Sequence, residues 1–222
     1  MKRQGIMWLV IVVFLFTWSK ASVGCCENAA QCFNEYEMEL DHDKATIVIG
    51  YVKDTVVIIP TKISGYDVEK IGEYAFDDCT GIVDLVIPGS ISEIGKGAFV
   101  YCTGIKNVTL QSGIKNIDED AFSECHSLEM ITIPGTVKII GSGAFNACVS
   151  LRAAIIEEGT AEIGDGCFSD CRNLQFVLLP SSIEAIGENA FRRCESLTIY
   201  CQRESFAEEY AIQNHIRYVV ID

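Results

Sequence analysis

The sequence predicts a repeat solenoid built from short strands and irregular turns, because two residue types recur at a fixed 23-residue interval. The first is a phenylalanine, found at Phe76, Phe99, Phe122, Phe145, Phe168 and Phe191. The second is a cysteine, found at Cys79, Cys102, Cys125, Cys148, Cys171 and Cys194. Fixed periods of about 20–50 residues indicate stacked repeats. Since one coil cannot bury its own apolar face, we expect neighbouring coils to stack into a continuous core.

Each coil is predicted to begin with a short strand. In the coil that opens with Leu128, apolar residues follow at Ile131 and Ile133, and such alternation of β-branched residues is typical of strands. The column of Ile131 continues to Val177 and Tyr200, which we therefore expect in the core. Three strands are followed by a proline, which lacks an N–H and ends strand pairing: Pro88, Pro134 and Pro180. Two coils carry Gln111 and Glu157 instead, so their turns must be held differently.

The second half of each coil crosses back through another apolar pair and then reaches a glycine in most coils. The glycines are Gly72, Gly95, Gly141, Gly164 and Gly187, with Asp118 as the exception. Glycine, and less often aspartate, tolerates positive φ, so we predict a positive-φ corner here. The phenylalanine that follows is expected to fill the space between layers.

The repeats at 71–197 are predicted to be covered at both ends, as terminal coils require. Residues 46–70 are interpreted as an irregular N-terminal capping coil, preceded by a cysteine-containing segment at 25–45. Residues 198–222 are expected to form a small α/β C-terminal cap. Within it, Ser205 and Glu208 have the spacing of a capping box that opens a helix to about Asn214, and 217–221 is a candidate closing strand.

Residues 1–24 have the pattern of a secretory signal peptide. Lys2 and Arg3 precede an apolar run from Gly5 to Trp18, and small residues follow. The run is shorter than the roughly 20 residues that span a bilayer as a helix, so a retained anchor is the second choice. The stretch before Cys25 also resembles a bacterial lipobox, although Ser22 replaces its usual leucine. We therefore expect a secreted or cell-surface protein that meets a membrane only through a lipid on Cys25 or an uncleaved signal.

Composition excludes several classes of partner. The 222 residues carry a formal charge of −14, which disfavours nucleic acids and anionic membranes because both attract an excess of Lys and Arg. A hydrophobic fraction of 49% with 4 prolines is enough for a continuous core. We expect one folded domain with short appendages.

The cysteine column is predicted to remain as buried free thiols, although exported chains often form disulfides. Parallel side chains at a strand spacing of about 4.7–4.9 Å do not converge as a disulfide requires. Outside the column, the sequence leaves open the state of Cys25, Cys26, Cys32 and Cys201. The three histidines stand apart from any nucleophile or metal-ligand pattern, so we expect no catalytic residues, no metal site and no cofactor.

The coil spelled Ile140-Gly141-Ser142-Gly143-Ala144-Phe145-Asn146-Ala147-Cys148-Val149-Ser150-Leu151 resembles the BspA-like leucine-rich repeats of bacterial and protist surface proteins. The resemblance covers about residues 56–222. It implies a secreted or surface-displayed solenoid, and some members of this family adhere to host matrix proteins. It supplies no catalytic residues.

The leading functional hypothesis is a surface adhesion module that binds an extracellular protein or glycan, including host matrix. By the period-2 rule the third and fifth strand positions point away from the core, and they become more apolar along the chain. We therefore predict a binding patch at Met130, Ile155, Phe176 and Leu178. The C-terminal cap or a second copy of the chain, forming a homo-oligomer through this strand face, could equally cover it. Other hypotheses are a structural or decoy surface antigen without a tight ligand, and a hydrolase acting on surface glycans.

Overall fold

The computed structural model describes residues 11–13 and 35–221, which form a β-solenoid with one helix near its C-terminal end. In chain order the elements are β1 (Ile11–Val13), β2 (Glu35–Asp41), β3 (Lys44–Tyr51), β4 (Val56–Ile58), β5 (Lys62–Ile63), β6 (Tyr66–Ile71), β7 (Asp84–Ile87), β8 (Glu93–Ile94), β9 (Asn107–Leu110), β10 (Asn116–Ile117), β11 (Met130–Ile133), β12 (Ile139–Ile140), β13 (Ala153–Ile156), β14 (Glu162–Ile163), β15 (Phe176–Leu178), β16 (Ala185–Ile186), β17 (Thr198–Cys201), α1 (Phe206–Gln213) and β18 (Arg217–Val220). The predicted repeat solenoid is confirmed.

Each repeat coil contributes one strand to each of two sheets. The long-strand sheet has the order β18-β17-β15-β13-β11-β9-β7-β4. The short-strand sheet has the order β1-β2-β3-β6-β8-β10-β12-β14-β16, with β5 paired to β6. Within the repeats all pairings are parallel and join residues 23 positions apart, as in Ile117 with Ile140. The apolar columns of both sheets therefore meet between them and form the core.

The phenylalanine column forms a ladder of stacked rings through this core. Ring centroids are 4.9 Å apart for Phe76 and Phe99 and 5.5 Å apart for Phe168 and Phe191, and consecutive rings are within 11° of parallel. That spacing matches the roughly 4.7–4.9 Å between neighbouring strands. One ring per coil thus fills the interior at the same period as the backbone.

The turns after the long strands are held in two ways, as the sequence indicated. Strands β7 and β11 end directly before Pro88 and Pro134. In the coils without proline, a side chain reaches back to the preceding coil instead. Gln111 Oε1 accepts a hydrogen bond from the Gly89 N–H at 3.3 Å, and Glu157 Oε2 accepts one from the Gly135 N–H at 3.2 Å.

The predicted positive-φ corner at the Gly95 column is wrong. Positive φ occurs instead in two other columns, one at Tyr74, Gly97, Asp120, Gly143, Gly166 and Asn189, the other at Asp78, Tyr101, Glu124, Ala147, Asp170 and Arg193. The glycines of the Gly95 column are required by close approach of the coils. A Cβ on Gly95 would lie 2.8 Å from the Ile71 carbonyl oxygen, and one on Gly141 would lie 2.5 Å from the Asp118 carbonyl carbon.

The C-terminal cap contains the predicted helix and closing strand. Helix α1 has Ser205 as its N-cap, whose hydroxyl accepts a hydrogen bond from the Glu208 N–H at 3.3 Å. The Glu208 carboxylate accepts the Glu204 N–H at 2.6 Å, so the reciprocal bond reaches one residue further back than in a standard capping box. Strand β18 then pairs in parallel with β17.

The placement of Tyr200 in the core was wrong. Strand β17 pairs with β15 in a register that is shifted by one residue from the 23-residue step. Val177 lies opposite Ile199, and Leu178 lies opposite Tyr200. Ile199 is therefore the buried residue, and Tyr200 lies on the outer face.

At the N-terminal end, β2 and β3 form an antiparallel hairpin, and β3 pairs in parallel with β6. The cap therefore includes residues before Thr46, where the predicted capping coil starts. Strand β1 pairs antiparallel with β2. The rest of the predicted signal peptide, together with Cys25, Cys26 and Cys32, lies outside the described residues. Between residues 35 and 221, and at 11–13, no helix is long and apolar enough to cross a bilayer.

Candidate ligand-binding face

The four residues predicted as a binding patch lie together on the outer face of the long-strand sheet. Parallel pairing puts Met130, Ala153 and Phe176 side by side on successive strands. The row two positions further along the strands runs through Thr132, Ile155, Leu178, Tyr200 and Val219. Neighbouring strands are about 4.8 Å apart, so members of a row are in van der Waals reach of one another.

These side chains differ in exposure. Met130 is 56% exposed, whereas Ile155, Phe176 and Leu178 are half-buried. The ring of Phe176 packs against that of Tyr200, with centroids 4.5 Å apart and planes tilted by 34°. A half-buried aromatic ring supported by a second ring is held in one orientation, which reduces the entropy lost when a ligand packs on it.

Sequence reasoning missed two members of this surface, Tyr200 and Val219. The signal for Tyr200 was present in Thr198-Ile199-Tyr200-Cys201, where a β-branched residue and a small apolar one alternate with polar ones. Val219 could be added only once β18 was known to continue the sheet. We define the apolar patch as Met130, Ile155, Phe176, Leu178, Tyr200 and Val219.

The N-terminal half of the same face is more polar. Asn107 donates a hydrogen bond through Nδ2 to Asp84 Oδ1 at 2.6 Å, and Thr109 is exposed on the same strand. The exposed apolar residues Val56 and Ile58 appear again only at the far end, on β4. The polar residues Asp84, Asn107 and Thr109 therefore separate the apolar patch from Val56 and Ile58, and they give the patch a defined N-terminal limit.

The cysteine column lies in the segments that join each short strand to the next long strand, and it has a structural role. Each thiol from Cys102 to Cys194 donates a hydrogen bond to the carbonyl oxygen of the phenylalanine 26 residues earlier, at 3.0 Å for Cys102 to Phe76 and 3.3 Å for Cys148 to Phe122. Burial raises the pKa of the Cys125 thiol well above its usual range and that of Cys194 to about 12. These sulfurs are therefore protonated donors within the stack.

Comparison with known proteins identifies the repeat. The model of the BspA type leucine rich repeat region matches six copies over residues 69–198. The chain belongs to this family. A search of curated proteins finds no significant match.

Among solved structures, this BspA-type chain is similar to the T. pallidum leucine-rich repeat protein, with 31% identity over 74% of this chain and 78% of that one, and a TM-score of 0.71. It is also similar to a leucine rich cell surface protein from Faecalibacterium prausnitzii, with 28% identity over 76% of this chain and 53% of that one, and a TM-score of 0.56. The pneumococcal vaccine antigen PcpA, at 23% identity over 77% of this chain and 48% of that one, shares the fold with a TM-score of 0.60.

Two histidines of this BspA-type solenoid lie beside carboxylates at its surface. His126 Nε2 lies 2.7 Å from Glu124 Oε2 on the exposed side of a turn, and His42 Nδ1 lies 2.7 Å from Asp41 Oδ1. Both are neighbours in sequence at the surface. Within the part of the chain that the structure describes, no three His, Cys, Asp or Glu side chains are grouped as a metal site would need.

The thiol ladder leads to a labelling prediction. When the protein is denatured without reductant and alkylated, we expect every cysteine from Cys79 to Cys194 in the column to be labelled, since each sulfur is directed at a carbonyl. In the native protein Cys79, which is half-buried, should be the one column cysteine that reacts at an appreciable rate. Peptide mapping by mass spectrometry measures both. Recovery of two column cysteines in one disulfide-linked peptide would contradict the prediction.

Proposed function

We propose that this chain is an exported, surface-displayed and non-catalytic adhesion module, which binds an extracellular protein or glycan through the apolar patch. The observation that carries the proposal is the continuity of the patch over neighbouring parallel strands. Contiguous exposed apolar surface on a soluble protein usually marks an interaction site, and stacked repeats present such surface on a rigid support.

The chemistry of the patch favours a ligand with an apolar or planar face. The six residues of the patch carry no formal charge, and Arg217 lies at its edge, where the row of Phe176 and Thr198 ends. The Phe176–Tyr200 pair supplies two rings at its centre. Aromatic side chains dominate binding energy when they pack in a desolvated contact. The Tyr200 hydroxyl adds a donor and acceptor that could orient a peptide group or a sugar hydroxyl.

Surface display is supported by two further observations. The N-terminal residues combine a basic start with an apolar run and small residues, as secretory signals do. The similar Faecalibacterium prausnitzii protein is described as a cell surface protein. Leucine-rich repeat proteins generally serve as binding modules, which supports a non-catalytic role here.

The patch is tested by the double substitution Phe176→Asp with Leu178→Asp. We expect the affinity for an adhesion ligand to fall by at least about 30-fold, because losing one aromatic anchor removes roughly 2 kcal/mol and buried carboxylates add a desolvation cost. Ligands are first found by screening an array of extracellular matrix proteins and glycans. Affinities of the wild type and the variant are then measured by surface plasmon resonance.

The matched control is Val86→Asp with Thr109→Asp, which adds two carboxylates to adjacent strands of the same sheet face outside the patch. It should fold and bind as the wild type does. Circular dichroism first establishes that both variants keep their secondary structure. Equal binding by the wild type and by Phe176→Asp/Leu178→Asp would remove this face as the ligand site.

Export is tested by the mass of the mature N-terminus after expression with its own leader. We expect a new N-terminus after Ala21, Val23 or Gly24, or a diacylglycerol-modified Cys25 if the lipid alternative is correct. Intact-mass spectrometry distinguishes these forms. Recovery of the chain only with Met1 still attached and in the cytoplasm would refute export.

A further inference from the structure

Strand β18 is the outermost strand of the long-strand sheet, and its outer edge faces no other described strand. The Ile221 N–H donates to the Cys201 carbonyl at 2.9 Å, so residue 221 points its backbone groups toward β17. Backbone groups of successive strand residues alternate in direction. Arg217 and Val219 therefore also face β17, and Tyr218 and Val220 direct their N–H and C=O groups outward.

This edge lacks the features that prevent strand-to-strand association. From Tyr218 to Ile221 it has no charge, no proline and no bulge, and Tyr218, Val219 and Ile221 are 39%, 42% and 36% exposed. The opposite end of the same sheet differs from this edge. Strand β4 is only three residues long and is soon followed by Pro60.

We propose that β18 pairs antiparallel with β18 of a second copy of this chain, with the two-fold axis at Val219. The outward groups of Tyr218 would then exchange hydrogen bonds with those of the partner's Val220, and those of Val220 with the partner's Tyr218. Val219 would stand directly opposite the partner's Val219. An isologous contact of this kind closes after two chains, so it yields a dimer.

A second copy fits this edge because antiparallel pairing keeps its like charges apart. The strand begins with Arg217 and carries no other charge as far as Ile221. Antiparallel pairing sets the two Arg217 side chains at opposite ends of the pair, whereas a parallel pair would align them.

The dimer would also extend the ligand-binding face. Val219 ends the row that contains Leu178 and Tyr200. With Val219 on the axis, this row runs without interruption into the partner's Val219 and Tyr200, so one sheet displays two apolar patches on the same side. This consequence rests on the proposed function, but the dimer itself does not. Two linked patches would bind a repetitive surface more tightly than one, through effective concentration.

The first experiment measures mass in solution without any ligand. The purified mature protein, kept in reductant to exclude intermolecular disulfides, should sediment as a dimer in analytical ultracentrifugation. Val220→Pro should shift the protein to monomer and raise the dissociation constant of the dimer at least tenfold. Proline removes an outward N–H and leaves the pairing with β17 intact. Ile58→Lys on β4, an exposed position at the opposite end of the same sheet, is the control and should remain dimeric.

The second experiment tests the register. Residues directly opposite in a non-hydrogen-bonded antiparallel pair have Cα atoms about 4.5 Å apart, within the range that a disulfide bridges. Val219→Cys should therefore form a covalent dimer on mild oxidation, and Arg217→Cys should not, since it faces the partner's Ile221. The wild type under the same oxidation gives the background from native cysteines.

A monomeric wild type at all concentrations, or a Val220→Pro variant that dimerises as the wild type does, would overturn the proposal. So would dimer loss in Ile58→Lys, or equal cross-linking through positions 217 and 219. None of these results affects the interpretation of the ligand-binding experiment. A monomer that still loses its ligand with Phe176→Asp/Leu178→Asp would keep the proposed function and discard the dimer.

Discussion

Replacing Phe145 with alanine is expected to lower the free energy of unfolding by about 3–5 kcal/mol, as large-to-small changes in a packed core do. Phe145 is fully buried, and its ring stacks between those of Phe122 and Phe168 at centroid distances of 5.4 and 5.3 Å. Loss of the ring leaves a cavity that faces both neighbouring coils. Their backbones are fixed by pairing on two sheets, so the site cannot collapse to fill it.

Phe191→Ala is the matched comparison, because it removes the same ring from the end of the ladder. Phe191 is 6% exposed and stacks on one phenylalanine only, with Tyr210 of the cap at its other side, edge to face at 6.2 Å. The cap can move inward or fray, so the loss should be smaller. Urea titration followed by circular dichroism measures both variants. Equal and negligible losses would contradict a core made by stacking.

The repeat region could be predicted because the same residue types recur in the sequence at the period of the coils. Stacking places identical environments 23 residues apart, so Phe122 and Phe145 meet the same neighbours and the same residue type satisfies both. The helix of the C-terminal cap could also be predicted, since Ser205 and Glu208 form a local hydrogen-bonding pattern that depends little on the rest of the fold.

The two positive-φ columns differ in how far the sequence indicates them. One contains Gly97, Asp120 and Asn189, which are residue types that tolerate positive φ, but the other includes Tyr101, Ala147 and Arg193, which share no property that favours it. Their conformation is imposed by hydrogen bonds to the next coil, such as that from the Tyr101 N–H to the Ser123 carbonyl at 3.0 Å. A backbone contact between coils does not determine which residue type occurs at the turn, so the local sequence does not reveal it. The prediction therefore placed the positive-φ corner at the conspicuous glycine column, which was wrong.

The candidate site was predictable in part for the same reason. Ile155 and Leu178 lie in the regular coils, where alternation along a strand decides which side chains point outward. Tyr200 lies where the register shifts by one residue, and a shift of one moves a side chain to the opposite face. The 23-residue step was therefore a poor guide at the end of the repeat.

Gly141→Ala is expected to destabilise the protein by about 3 kcal/mol, at the upper end of the cost of overpacking. The new Cβ would lie 2.5 Å from the Asp118 carbonyl carbon and 2.6 Å from the Glu119 nitrogen. Both are backbone atoms of the preceding coil, which cannot rotate away as a side chain would. The two coils must separate locally, and the hydrogen bond from the Gly141 N–H to the Ile117 carbonyl, now 2.7 Å long, must stretch.

Gly166→Ala separates this steric effect from the conformational preference of glycine. Gly166 has a φ of +58°, but a Cβ there meets only the Ser169 Cβ, at 3.8 Å. The left-handed conformation costs an alanine roughly 1–2 kcal/mol, and the lower entropy of the unfolded chain offsets part of that, so the loss should be about 1 kcal/mol or less. Urea titration ranks the two variants. A larger loss for Gly166→Ala than for Gly141→Ala would show that backbone conformation, and not the approach of neighbouring coils, sets the requirement for glycine.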